Sequence, residues 1–261
     1  MVSTTYEQAR RMGAPRAIAL CQCFSGALEF QAGHWAVAEA ALRESIQLYR
    51  EIGAASGEAL ACQRLGVLQT ARGQLDEGLA TLEAGVVAAE RALMRAHCLT
   101  RLYAAMARNR LAAGDVRAAD QALALGVAMS ERHGNCTTCD ALLLPAAVSV
   151  RVAQGDLVGA ESFCRLLDTA AKQYASRMWV AMARQARGEL AAAQGRLDEA
   201  LRAYTEAQIG FAAAGHAYEA ARCLTTAATL RLRRGTPHDL ALVGAAQAEA
   251  QRIFGQLGVP I

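Results

Sequence analysis

Residues 188–207 read GELAAAQGRLDEALRAYTEA, and the order of residue types in that stretch decides the fold. Leu190 to Gln194 are strong helix formers, Gly195 interrupts them, and Asp198 and Glu199 open the next helical run. A glycine placed just past a helix C-terminus supplies the left-handed backbone that ends the helix, and carboxylates in the following first turn suit the positive end of the next helix dipole. The stretch therefore predicts two helices joined by a tight turn. Ala200, Tyr204 and Ala207 continue the second helix at spacings of four and three, the period of one buried helical face.

The same punctuation recurs outward in both directions. A small or polar residue, a glycine and a polar residue appear as AGH, RGQ, AGD, QGD, QGR and RGT, centred on Gly33, Gly73, Gly114, Gly155, Gly195 and Gly235. Successive glycines are 40, 41, 41, 40 and 40 residues apart. A second series at Gly13, Gly53, Gly134, Gly215 and Gly255 marks the other end of each unit, with Leu93 and Tyr174 at the two places where glycine is missing. The helix before each first-series glycine is designated A and the helix after it B. The A helices are expected near 14–32, 55–72, 93–113, 138–154, 175–194 and 217–234. The hairpins then span roughly 14–53, 55–92, 93–133, 138–174, 175–214 and 217–255 of a single domain covering residues 1–261. One hairpin cannot bury its apolar face alone, so neighbours must stack, which predicts an all-α helical-hairpin solenoid with a concave groove.

Composition agrees with helices. The 261 residues are 54% hydrophobic but only 5% aromatic, so alanine and leucine carry the apolar side, a mixture that favours close helix crossings over strands. No apolar run is long enough to span a bilayer, and the N-terminal MVSTTYEQARRMG has no signal-peptide core, so a cytoplasmic location without membrane contact is expected. The eight cysteines mostly stand alone in helical stretches, as at Cys62, Cys164 and Cys223, unlike the framework of a small secreted disulfide protein. A net charge of +3 is too weak to argue for nucleic acid, and aromatic base platforms are lacking, so no direct nucleic-acid contact is expected.

Around the repeat glycines, small and large residues alternate in a recognisable way. The fifth unit has Gly188, Gly195, Ala200, Tyr204 and Ala207; the second has Leu65, Gly66, Gly73 and Leu82; the first has Gly26, Ala38 and Leu42. This pattern resembles the tetratricopeptide-repeat (TPR) family across almost the whole chain, and the resemblance implies a right-handed superhelix of about six repeats with A helices lining the groove. Two features depart from that family: a period near 40 in place of 34, and no proline at the repeat end; HEAT-type repeats share the longer period. Long-period arrays of this Ala-, Arg- and Gly-rich kind look like the sensor region of large ATP-binding LuxR-type bacterial regulators resembling the maltose regulator. The final stretch AQAEAQRIFGQLGVPI is similar to the segment before their DNA-binding module. No GxxxxGK[ST] phosphate loop occurs, so the chain reads as an excised sensor domain or a stand-alone relative.

Charge is distributed unevenly. The A segments hold 15 Arg and no Lys against 5 acidic residues, whereas the remainder holds 12 basic and 19 acidic. The family's groove positions fall here on Gln63, Arg101, Arg108, Ser149, Gln185, Glu189, Arg222, Thr225 and Thr229. Of these, Gln63, Arg101, Arg108, Gln185, Arg222 and Thr225 are the candidate ligand-binding residues. Arginine's planar fork suits carboxylates and phosphates, which points to an anionic small-molecule effector or a protein or peptide partner. The competing reading is that these arginines pair with B-helix carboxylates. Self-association into a homo-oligomer is a further expectation for a scaffold of this kind.

One junction breaks the monotony: His133-Gly-Asn-Cys136-Thr-Thr-Cys139-Asp140. Two thiols separated by two residues where a loop enters a helix can converge on one tetrahedral ion, zinc above all. The preceding hairpin brings His97 and Cys98 to the same edge, so Cys98, His133, Cys136 and Cys139 form a candidate metal set, with His97 as the alternative ligand. Two other readings stand beside it. Thr137 can be an ordinary helix cap with Asp140 in the first turn, or the two thiols can act as a redox pair. No Ser-His-Asp, HExxH or phosphate-loop arrangement occurs, so the chain is expected to bind and not to catalyse.

Overall fold

In a computed structural model, residues 2–134 and 136–259 are described. Every regular element among them is a helix. In order these are α1 (Val2–Arg11), α2 (Pro15–Ala32), α3 (Trp35–Glu51), α4 (Ala55–Ala71), α5 (Leu75–Glu90), α6 (Arg95–Ala112) and α7 (Val116–Arg132). They continue with α8 (Thr137–Ala153), α9 (Leu157–Tyr174), α10 (Arg177–Ala193), α11 (Leu197–Ala213), α12 (Ala217–Arg234) and α13 (Pro237–Leu257). The A helices are the even-numbered ones, α2 to α12, and the B helices follow each of them. Helix α1 precedes the first hairpin and packs on α2.

Gly195 shows why the punctuation works. Its φ of +76° is open to glycine at little cost, and it lets Arg196 N–H donate to the Ala191 carbonyl at 2.9 Å and Gly195 N–H to Ala192 at 3.1 Å. Those two bonds close the last turn of α10 and aim the chain back along it as α11. Two marks of the second series are displaced from where the sequence puts them. At the joint expected at Tyr174, that residue still ends α9 and the left-handed residue is Ala175, with φ +47°. Gly255 stays inside α13, and Gly258 (φ +67°) ends that helix; space is open around Gly255, so the helix passes through it unopposed.

The chain divides into two compact units, one up to Cys139 and one from Asp140. In the first, α2, α3 and α4 share a core of Leu42, Ile46, Tyr49, Cys62, Leu65 and Leu68, and α4, α5 and α6 share another built on Leu82, Cys98, Leu99 and Leu102. In the second, Leu144 and Val148 of α8 join Cys164 and Leu167 of α9 and Leu190 of α10, and Tyr204 and Phe211 of α11 fill the space between α10 and α12. Each core draws on three consecutive helices, so within each unit the hairpins stack as in an all-α helical-hairpin solenoid. Full burial of one such leucine contributes about 1.5–3 kcal/mol.

The crossings within hairpins use the small–large pairs of the repeat pattern. A Cβ on Gly26 or Gly66 would lie 2.6 Å from Leu42 Cγ or Leu82 Cγ, and one on Gly188 would lie 2.9 Å from the Tyr204 ring. Glycine on the A helix is what admits the large B-helix side chain. No described helix is long and apolar enough to cross a membrane.

Candidate metal centre

The B helix α7 ends at Arg132, and the chain turns through His133 and Gly134 (φ +77°) before α8 starts at Thr137. Asn135 of the HxxCxxC stretch lies outside the described residues. Cys136 occupies the position just before α8 and accepts the first helical bond there, from Cys139 N–H to its carbonyl at 2.8 Å. Both thiols of the CxxC therefore belong to the first turn of α8. They meet His97, the third residue of α6, whose Nδ1 lies 3.1 Å from Cys139 Sγ and 3.5 Å from Cys136 Sγ.

The ligand atoms of His97, Cys136 and Cys139 all lie within 4.8 Å of one another. Bonds of about 2.3 Å to sulfur and 2.0–2.1 Å to nitrogen, set at tetrahedral angles, require N–S separations of about 3.6 Å and S–S separations of about 3.8 Å. The N–S distances of 3.1 and 3.5 Å are close to those of a shell around one ion. Two of the three donors are also shifted toward the form that ligates. Burial, reinforced by the Arg101 cation, pushes the His97 imidazole below its ordinary value, favouring the neutral form that ligates. At Cys136 burial works against the thiolate, but hydrogen bonding to Thr138 and Cys139 outweighs it and holds the thiol below its usual range. The Thr138 hydroxyl sits 3.2 Å from Cys136 Sγ.

Two residues of the sequence-derived set do not join this group. Cys98 follows His97 by one residue, a rotation of about 100° on a helix, so it faces away. Its buried thiol contacts the Ser56 carbonyl of α4 at 3.7 Å, and burial pushes it up to about 11. His133 is the exposed residue just past the end of α7, and His97 occupies the histidine place. The remaining cysteines are packing residues. Cys62, Cys164 and Cys223 are buried, with thiols pushed up to about 12 by burial, and Cys23 accepts from Arg64 Nη1 at 2.9 Å.

Arg101 connects the two sites anticipated from sequence. It lies four residues after His97 and so on the same face of α6. Its Nη1 donates to the Thr138 carbonyl at 3.0 Å, and the thiols of Cys139, Cys136 and Cys98 favour its charge. Burial is the larger influence and lowers its pKa from the normal guanidinium value, and its Nε is shielded from solvent with no hydrogen-bond partner.

The other groove candidates are tied to protein partners or packed. Gln63 is buried and Arg108 is partly buried. In the second unit Gln185 Nε2 donates to Glu219 at 3.3 Å, and Arg222 Nη1 to the same carboxylate at 3.0 Å. The Glu219 charge raises the Arg222 pKa against the effect of burial. Ser149 donates to Glu189 at 2.8 Å, and Thr225 is exposed, its hydroxyl turned back to the Ala221 carbonyl at 3.1 Å. Several A-helix arginines pair with B-helix carboxylates: Arg72 with Glu39, Arg184 with Glu206, and Arg187 with Glu161 and Asp168. Part of the positive charge counted on the A helices is thereby matched within the fold. An open cleft of about 520 Å³ between α11, α12 and α13, lined by Arg202, Arg231 and His238 among others, has no motif that marks it in sequence.

No family model matches the chain, and no curated protein matches it. Among solved structures, the crystal structure of BtubC (BKLC) from P. vanneervenii is similar over 100% of this chain and 91% of that chain, with 16% identity and a TM-score of 0.49.

Proposed function

We propose that this is a non-catalytic helical-repeat binding protein whose specific chemistry is a thiophilic-metal centre formed by His97, Cys136 and Cys139. The observation that carries the proposal is the convergence of these three donors, His97 lying 39 and 42 residues before the two thiols in sequence, at spacings close to those of a tetrahedral shell. Two thiolates and a neutral imidazole make a soft donor set that suits zinc over magnesium or calcium. Bound there, the ion would fasten the start of α8 to the start of α6, so metal loading would set the geometry of that joint. Such an element lets a binding protein respond to metal without catalysing anything.

Purification without chelator followed by elemental analysis tests this. About one equivalent of zinc or a similar metal is expected in the reduced protein, falling below about a tenth of an equivalent in Cys139→Ser. Wild type that carries less than about a tenth of an equivalent and takes up no added zinc defeats the reading. A Cys136–Cys139 disulfide in place of metal would put the redox reading in its stead.

A second reading concerns the partner: the sensor or scaffold region of a LuxR-type transcriptional regulator, cytoplasmic, with an anionic effector, protein or peptide on the A-helix face. It draws support from the groove positions Ser149 and Glu189, which adjoin on successive A helices, and from Arg101 and Gln185, which each bond to the next A helix, at Thr138 and Glu219. Within each unit those contacts link polar groups of neighbouring repeats, as a groove requires.

A further inference from the structure

Three protein donors leave a tetrahedral ion one ligand short, and among the described residues no further His, Cys, Asp or Glu joins the group. The shape and charge of the surroundings indicate what kind of ligand completes the shell. A divalent ion with two thiolates and a neutral imidazole carries no net charge, so the guanidinium of Arg101, on the same face of α6, is left to attract an anion. Its orientation narrows the choice. Nη1 is already committed to the Thr138 carbonyl, and the buried Nε has no partner. Nε shares one edge of the guanidinium with Nη2, and such an edge presents two parallel N–H donors spaced to match the two oxygens of a carboxylate. A buried donor without a partner is costly, so a ligand that satisfies it is favoured over water or a neutral base.

Resting on the metal reading above, we propose that the fourth ligand of this centre is the carboxylate of a small molecule, gripped side-on by Arg101, so that the site senses a carboxylate effector through its metal. Arg101 is in this view a positioning residue for the ligand. It takes no part in holding the metal.

Cobalt(II) loaded into the full chain in place of zinc provides the test, because thiolate-to-cobalt charge transfer reports the protein ligands and the visible d–d bands report the fourth one. Acetate is expected to shift the d–d bands saturably while leaving the charge-transfer band in place, and imidazole to do so far more weakly. Arg101→Gln is expected to keep the charge-transfer band and bind acetate about tenfold or more weakly, the loss expected for a charge-assisted pair, with partial recovery in Arg101→Lys. Absence of thiolate charge transfer in wild type would remove the metal reading together with this one. Normal charge transfer with d–d bands indifferent to acetate, or equal acetate affinity in Arg101→Gln, would overturn the carboxylate ligand alone and leave the metal centre standing.

Discussion

Helices α8 and α13 both start just beyond a left-handed glycine, Gly134 and Gly235, yet the two junctions solve the same problem in opposite ways. At α13 the capping groups satisfy one another. Thr236 accepts from Asp239 N–H at 3.1 Å and donates to the Asp239 carboxylate at 2.6 Å, while Arg234 grips that carboxylate with Nε at 2.7 Å and Nη2 at 2.5 Å and reaches Asp198 with Nη1. At α8 the corresponding place is filled by Cys136, and the nearby charge is an arginine with one buried nitrogen unpaired. Hard, opposite charges that satisfy each other make a structural cap. Soft donors that converge, with a cation left over, make a place for something else. The chemical class of the groups, more than their density, separates the two.

Acid should separate them most widely. Ligation needs neutral His97 and ionised thiols, so protons compete directly with metal. Both His97 and Cys136 are held below their ordinary values of 6.5 and 9.0, which extends loading toward lower pH, and acid that protonates them releases the metal. Asp239 behaves differently. Arg234 and Thr236 depress its pKa far below the ordinary 3.8, so its contribution to stability is fully present above that value and disappears only as pH falls through the depressed one. Metal release between about pH 7 and 5 with helix content retained, followed by loss of structure below about pH 4, is therefore expected from a metal assay and circular dichroism on the same samples. Metal loss and unfolding in a single step would show that the two junctions are not independent.

The hairpins were open to reading from sequence because a left-handed helix end is a local property of the chain, and glycine announces it at Gly33, Gly73, Gly195 and their relatives. Where the left-handed residue is Ala175, no such announcement exists, and the joint expected at Tyr174 falls one residue early. The metal centre was legible only in outline. CxxC is visible as a spacing, but the choice between His97 and Cys98 depends on the rotational phase of α6 against α8, and adjacent residues on a helix differ by about 100°. His133 is near the thiols in sequence and takes no part in their convergence. Arg101 stood out only as a groove residue, because nothing in its own neighbourhood of sequence refers to Cys136 or Cys139. The Arg234–Asp239 grip went unread for a related reason: an Arg five residues before an Asp across a glycine is common, and only the turn geometry brings them together.

Removing the cap hydroxyl at the structural junction has a moderate cost. Thr236→Ala takes away an acceptor for Asp239 N–H at the start of α13 and should destabilise the protein by about 1 kcal/mol. Chemical denaturation monitored by circular dichroism measures this, and metal content should not change. A fall in metal content in Thr236→Ala, or no change in stability, would erase the distinction between a cap and a ligand site.

The equivalent substitution at the other junction should do the least to stability and still be informative. Thr138 contributes a hydroxyl 3.2 Å from Cys136 Sγ, and that hydrogen bond is one of the influences that keep the thiol below its usual range against the effect of burial. Thr138→Val keeps the shape of the side chain and removes the hydroxyl. The Cys136 pKa should then move upward, and since the thiolate is the nucleophile, alkylation of metal-free protein below that pKa should slow while the limiting rate at high pH is restored. Cys139 is buried, and Cys98 is both buried and pushed up to about 11, so Cys136 reacts first and the rate reports on it. An unchanged pH profile would mean that the α8 dipole and the Cys139 N–H hold the thiolate by themselves. The hydroxyl would then be a bystander, and the α8 junction would owe its chemistry to backbone alone.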